Sequence, residues 1–133
     1  MATDALLSFN TAAGASDSFT ASGQTSAVTI PGVQRSHALY IRVRYDATTT
    51  ASSGTNTVQF KAQAYDPSPL TGSAGFYNHT VNDNKVITAS NAGPQIGELY
   101  LPVSTGLKQV RLAYTVVGTV TVNFIADLVN SNV

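Results

Sequence analysis

The chain has 133 residues, with seven Lys+Arg balanced by seven Asp+Glu and with no cysteine or tryptophan. A net charge of zero, with only 11% of residues charged, argues against binding driven by phosphate neutralisation, so no nucleic-acid partner is expected. Without cysteine there is no thiol catalysis, thiolate metal site or disulfide, and a chain this long suits one domain that buries about two-thirds of its unfolded surface.

No apolar run approaches the roughly 20 residues that span a bilayer, so no membrane partner is expected. The opening Met1–Leu7 has no basic segment followed by an apolar core, which predicts a soluble protein that does not use the general secretory route. Thr, Val, Ala, Ser, Gly and Asn dominate, and Glu98 is the only glutamate. Such usage disfavours long helices and predicts an all-β fold with a thin core.

In chain order, residues 1–14 read as an N-terminal arm or a first edge strand, with Leu6, Leu7 and Phe9 as its large apolar side chains. Ser18–Ala21 and Ala27–Ile30 predict short strands, the first broken by Gly23 and the second closed by Pro31-Gly32. Across Ala38–Asp46, Leu39, Ile41, Val43 and Tyr45 share one phase while Tyr40, Arg42 and Arg44 share the other. That period of two marks a strand buried on one side. The polar run Ala47–Asn56 predicts an exposed, mobile tip. Thr57–Tyr65 alternates again, with Val58, Phe60, Ala62 and Ala64 inward, and pairs with the preceding strand as a long-tipped hairpin.

Pro67 and Pro69 stop that strand. The segment onward to Asn84 reads as irregular, pinned to the core by Phe76 and Tyr77. Lys85–Ser90 predicts a strand and Asn91–Pro94 a turn. Leu99, Leu101 and Val103 mark another strand, which Pro102 places at an edge or ends. Val110, Leu112, Tyr114 and Val116, then Val120, Val122, Phe124, Ala126 and Leu128, mark the last two strands. Gly118-Thr119 predicts that these form a hairpin with a type II′ turn. About eight short strands with turn signals between them predict one domain over residues 1–133, an antiparallel two-sheet sandwich of jelly-roll type.

Chemistry-bearing residues are sparse. His37 and His79 stand far apart, outside any metal-ligand spacing. Asp4, Asp17, Asp46, Asp66, Asp83, Glu98 and Asp127 are scattered and form no acid–base motif. Asn82-Asp83-Asn84 resembles part of a calcium loop but lacks the later ligands and the closing glutamate. There is no G-x-S-x-G elbow and no glycine-rich loop opening a helix. The expectation is a protein that is not an enzyme and uses no metal and no cofactor.

Arg42, Arg44, Lys61 and Arg111 fall on the polar phases of strong strands. If those strands share a sheet, the four cations form one surface for docking on an acidic protein, with arginines gripping carboxylates in two-pronged fashion. Tyr40, Tyr65 and Tyr100 share the polar phase. Tyrosine beside arginine is interface-like composition, and it also suits a sugar-binding face. With Leu6, Leu7 and Phe9, these tyrosines are the candidates for oligomer or arm contacts.

Thr3–Ser8, Leu39–Val43, Thr57–Gln63, Leu99–Pro102 and above all Val110–Thr121 (VRLAYTVVGTVT) resemble, in order and spacing, the capsid cement or decoration proteins of tailed bacteriophages. The last of these segments is similar to the family's R-L-x-Y-x-V-x-G-T-x-T run; Pro67–Pro94 departs from the family pattern. The resemblance implies a virion protein without catalytic residues, made in the host bacterial cytoplasm. It implies binding to the outer surface of an assembled head as a homo-oligomer, dimer or trimer, that clamps neighbouring major capsid protein subunits. On this reading Arg42, Arg44, Lys61 and Arg111 dock on the capsid, and the segment from Leu6 to Phe9 lies across a neighbour. The alternative is a carbohydrate-binding jelly roll on a phage head or tail, using Tyr40, Tyr65 or Tyr100 as a platform; the lack of tryptophan counts against it.

Overall fold

A computed structural model describes residues 7–12, 14–30, 39–78, 86–103 and 109–129. Ten strands lie within them: β1 (Asp17–Phe19), β2 (Gly23–Gln24), β3 (Val28–Thr29), β4 (Leu39–Thr48), β5 (Thr57–Asp66), β6 (Gly75–Asn78), β7 (Val86–Thr88), β8 (Gln95–Val103), β9 (Gln109–Val117) and β10 (Thr121–Val129). They build two antiparallel sheets. Sheet I has the order β1-β10-β4-β8; in sheet II, β2 and β3 flank β9, which pairs with β5, which β6 and β7 flank in turn. With β2/β3 and β6/β7 each taken as one interrupted strand, the chain crosses between sheets at every step except from β5 to β6. This is the jelly-roll path.

Each long strand presents one phase to the opposite sheet. From sheet I come Ile41, Val43, Leu101, Val122 and Ala126; from sheet II come Val58, Phe60, Ala62, Val110 and Leu112, and all are 0% exposed. Five rings fill part of the interior. Phe19 stacks on Tyr114 at 3.7 Å between centroids and meets Phe60 and Phe124 edge-on at 6.0 and 5.6 Å, while Tyr45 lies 6.3 Å from Phe60. Among valines and alanines these rings carry much of the buried area, and truncating one such as Phe60 costs about 3–5 kcal/mol.

The two hairpins expected from the sequence do not form. β4 and β5 lie in different sheets, as do β9 and β10. β4 instead pairs with β10 and β8, and β9 with β5. Gly118-Thr119 therefore carries the chain from one sheet to the other. Gly118 has φ of +80°, and a Cβ there would run into the Thr55 carbonyl oxygen and the Asn56 side chain. Asn56 is buried; its Oδ1 accepts from Thr119 N–H at 2.9 Å, and its carbonyl accepts from Ala89 N–H at 2.9 Å. The run expected to be a free tip is thus anchored at its C-terminal end. Nor does Phe76 pin an irregular segment to the core: it lies on β6, paired with Tyr65 of β5 on the outer side, and Tyr77 is 43% exposed.

The N-terminal segment covers the free edge of β10 in two pieces. Ser8 bridges Asp127, and Phe9 N–H donates to the Ala126 carbonyl at 2.9 Å. Asn10 continues the ladder with its side chain: Oδ1 accepts from Ala126 N–H at 2.8 Å, and Nδ2 donates to the Phe124 carbonyl at 2.9 Å. A side-chain amide here takes the place of a backbone peptide. Asp17 closes the excursion by accepting from Thr11 N–H at 2.7 Å, and β1 rejoins the same edge. The segment is therefore an edge of its own sheet. Phe9 is 3% exposed and Leu7 packs on the same core, so neither is free to lie on a neighbour; Leu6 lies outside the described residues.

Two substitutions test these devices. Gly118→Ala forces a strained φ and a backbone clash, and is expected to cost about 3 kcal/mol. Asn10→Ala leaves a buried N–H and C=O of β10 without partners, and is expected to cost about 1–3 kcal/mol. Urea unfolding followed by circular dichroism measures both.

Candidate functional site

The four cations divide into two pairs. Arg42 and Arg44 project from the outer face of sheet I, Lys61 and Arg111 from the outer face of sheet II, on opposite sides of the sandwich. The single docking surface expected from the sequence does not exist, because β4 and β5 are in different sheets.

On sheet I, β4 sits between β10 and β8, so its outward side chains meet partners on both sides. Arg42 is level with Asp127 and Tyr100, Arg44 with Ile125 and Glu98. Asp127 is only 3% exposed although it belongs to the polar phase of β10. Arg42 Nη2 donates to its Oδ2 at 3.1 Å, and Arg44 Nη2 reaches the same oxygen at 3.5 Å. Beside them the Tyr100 hydroxyl donates to Glu98 Oε1, which raises the Tyr100 pKa above the ordinary tyrosine value. Tyr40 meets Tyr100 edge-on at 6.3 Å. With Asp46 in the same phase, this face carries both signs of charge, and Arg42 and Arg44 share one carboxylate oxygen, while Arg42 Nε and Asp127 Oδ1 are buried without a hydrogen-bond partner among the described residues.

Sheet II is different. The outward phase of β5 and β9 reads Thr57, Gln59, Lys61, Gln63, Tyr65 and Gln109, Arg111, Ala113, Thr115, Val117, without a carboxylate. Arg111 Nε donates to Gln63 Oε1 at 2.8 Å, and Gln63 Nε2 passes the chain on to Asn78 Oδ1 at 3.1 Å. The Arg111 guanidinium lies 4.3 Å from the centre of the Phe76 ring, and Phe76 meets Tyr65 edge-on at 5.4 Å. An amide ladder and a ring thus hold Arg111 flat on the sheet without removing its charge. Among the described residues, neither Lys61 nor Arg111 forms an ion pair. The same outer face exposes apolar groups: Tyr65 at 36%, Val117 at 49% and Val86 at 57%.

The three candidate tyrosines also separate, Tyr40 and Tyr100 on sheet I and Tyr65 on sheet II, so they make no common platform. His37, His79 and Asn82-Asp83-Asn84 lie outside the described residues, and among those described no group of three potential ligands could hold a metal. Sequence reasoning missed the partners that decide which cations are free. Asp127, Gln63 and Phe76 act through cross-strand register, which no local pattern reveals. No family model matches this chain, and comparison with curated proteins finds no match.

Removing Asp127 leaves two arginines facing each other around a buried vacancy. Asp127→Ala is expected to lower stability by about 2–3 kcal/mol, whereas Arg44→Ala, at a side chain 43% exposed, is expected to cost under about 1 kcal/mol; urea melts distinguish the two. Burial, with a smaller contribution from Asp17, raises the Tyr114 pKa. The neutral phenol therefore favours the folded state, a contribution fully present below about pH 10 and lost as pH rises through the folded-state pKa. Thermal melts across alkaline pH should show a shallower loss for Tyr114→Phe than for the wild type.

Proposed function

We propose that the protein decorates an assembled phage capsid, docking through the outer face of sheet II onto an acidic patch of the major capsid protein. The observation that carries this reading is the contrast between the two faces. Arg42 and Arg44 converge on one buried aspartate of their own chain, with Asp46 and Glu98 on the same face, while among the described residues Lys61 and Arg111 form no ion pair and their face exposes aromatic and aliphatic side chains. Arginine and tyrosine at the centre of a desolvatable patch are the residues that most often anchor interfaces. The jelly-roll path and the run Val110–Thr121, which supplies Arg111 itself, support the resemblance to cement proteins. A ligand that binds the assembled shell and not free subunits stabilises the shell by mass action, and many copies on one shell add through multivalency.

The charge-reversed pair Lys61→Glu with Arg111→Glu is expected to weaken binding to shells lacking the protein at least tenfold, measured by co-sedimentation, and wild-type binding should weaken with added salt. Arg42→Glu with Arg44→Glu is the poorer probe, because it sets two more carboxylates against buried Asp127 and destabilises the fold. Undiminished binding by the sheet II variant would remove this face as the docking surface; no wild-type binding to any intact shell would remove the capsid reading.

A further inference from the structure

Three of the four sheet edges are short or broken. β1 has three residues, β2 and β3 two each, and β6 and β7 four and three. The fourth is β8, continuous over nine residues and, among the described residues, hydrogen-bonded only to β4. No described residue bonds to its outer side. A long open edge is a template for another strand, and proteins that leave edges free of partners usually shorten or interrupt them. Among the described residues this chain does so at every edge except β8.

The phase of the ladder shows which groups face out. In antiparallel sheets the N–H and C=O of one residue turn to the same neighbour, and successive residues alternate. Ala126 and Phe124 bond outward to Phe9 and Asn10, so the odd-numbered residues of β10 bond to β4. Their partners Arg42 and Arg44 turn toward β10, which leaves Ile41, Val43 and Tyr45 to bond with Leu101, Leu99 and Gly97 of β8. Ile96, Glu98, Tyr100 and Pro102 therefore direct their backbone groups away from the sheet. Pro102, which has no N–H, sits in the phase where none is needed by β4.

We infer that β8 pairs antiparallel with β8 of a second copy, across a two-fold axis at Leu99. The side chains choose this register. With Leu99 opposite its own copy, Glu98 faces Tyr100 of the other chain, so the hydroxyl–carboxylate bond seen within one chain can be exchanged between two. Ile96, 73% exposed, faces Pro102 of the copy. A shift that centres the axis on Glu98 sets like charges opposite each other, which antiparallel pairs disfavour. The result is one continuous eight-stranded sheet with β8 and its copy at the middle. The axis runs normal to the sheet, so both cationic sheet II faces point the same way. The pairing itself does not rest on the capsid reading; only the use of two faces at once does.

The test is the mass in solution by light scattering, from micromolar to millimolar protein, together with amide exchange. The expected result is twice the 13.9 kDa chain mass, with slow exchange at the amides of Ile96, Glu98 and Tyr100. Glu98→Pro removes an outward N–H and spares the β4 ladder; it should give a monomer that still melts cooperatively. Because the chain has no cysteine, Leu99→Cys provides a clean reporter, and oxidation should give a disulfide-linked dimer, since directly opposite wide pairs approach within disulfide reach. A wild-type monomer at all concentrations, a trimer, or a dimer with rapidly exchanging β8 amides would overturn the inference. A dimer that forms while shells remain unbound would leave the edge pairing standing and remove the capsid reading.

Discussion

Neither sheet of this protein can exist without the other. Their inner faces are built from valine, alanine, leucine and isoleucine, with a few rings, and even the long strands each supply only two to four buried apolar side chains. Burial of that area is the main favourable contribution to the fold. The jelly-roll path meets the requirement by sending successive strands to opposite sheets, so that neighbours in sequence cover each other's apolar phase and not each other's hydrogen-bonding edge. The anchors at Asn56, Gly118 and Asn10 follow from this. They stand where the chain leaves one sheet for the other or where an edge is completed by a side chain.

The same path decides what the two outer faces can do. Because β10 lies beside β4, Asp127 falls level with Arg42, and both arginines of sheet I share its carboxylate. Because β9 lies beside β5, Arg111 falls level with Gln63, a neutral partner that fixes the guanidinium and leaves its charge. One face supplies a carboxylate to its own arginines; the other, among the described residues, leaves its cations without an ion pair. Edge pairing at β8 would enlarge sheet I sideways without covering sheet II. In that arrangement association with a copy and docking on a shell use different surfaces and do not compete.

The strand content was legible in the sequence because it depends on alternation within a segment. Leu39 to Tyr45, Val58 to Ala64 and Val120 to Leu128 all point where their period of two predicts, and Pro102 lies on an edge strand. Pairing was not legible. The run from Val116 to Val120 has the look of a hairpin, and sequential strands often do pair. A jelly roll, however, separates such strands, and the expected fold class and the expected hairpins were incompatible with one another. The error carried into the candidate site. Arg42 and Lys61 share a polar phase in the sequence, yet a phase says nothing about which sheet a strand joins. Strand β6 was read as irregular, and Phe76 was assigned to the core and not to the outer face, because four residues carry too short a pattern to read.

β10 comes last of the ten strands, and it occupies the interior of sheet I, between β1 and β4. Until it is in place, the aromatic cluster lacks Phe124, Arg42 and Arg44 have no counter-ion, and the N-terminal segment has no ladder to join. A chain made up to β9 has every strand of sheet II, but sheet I has a slot between β1 and β4. Such a chain must wait for its final strand before it can close, and its native contacts join residues from opposite ends of the sequence. Folds of that kind form slowly, on the scale of about milliseconds to seconds.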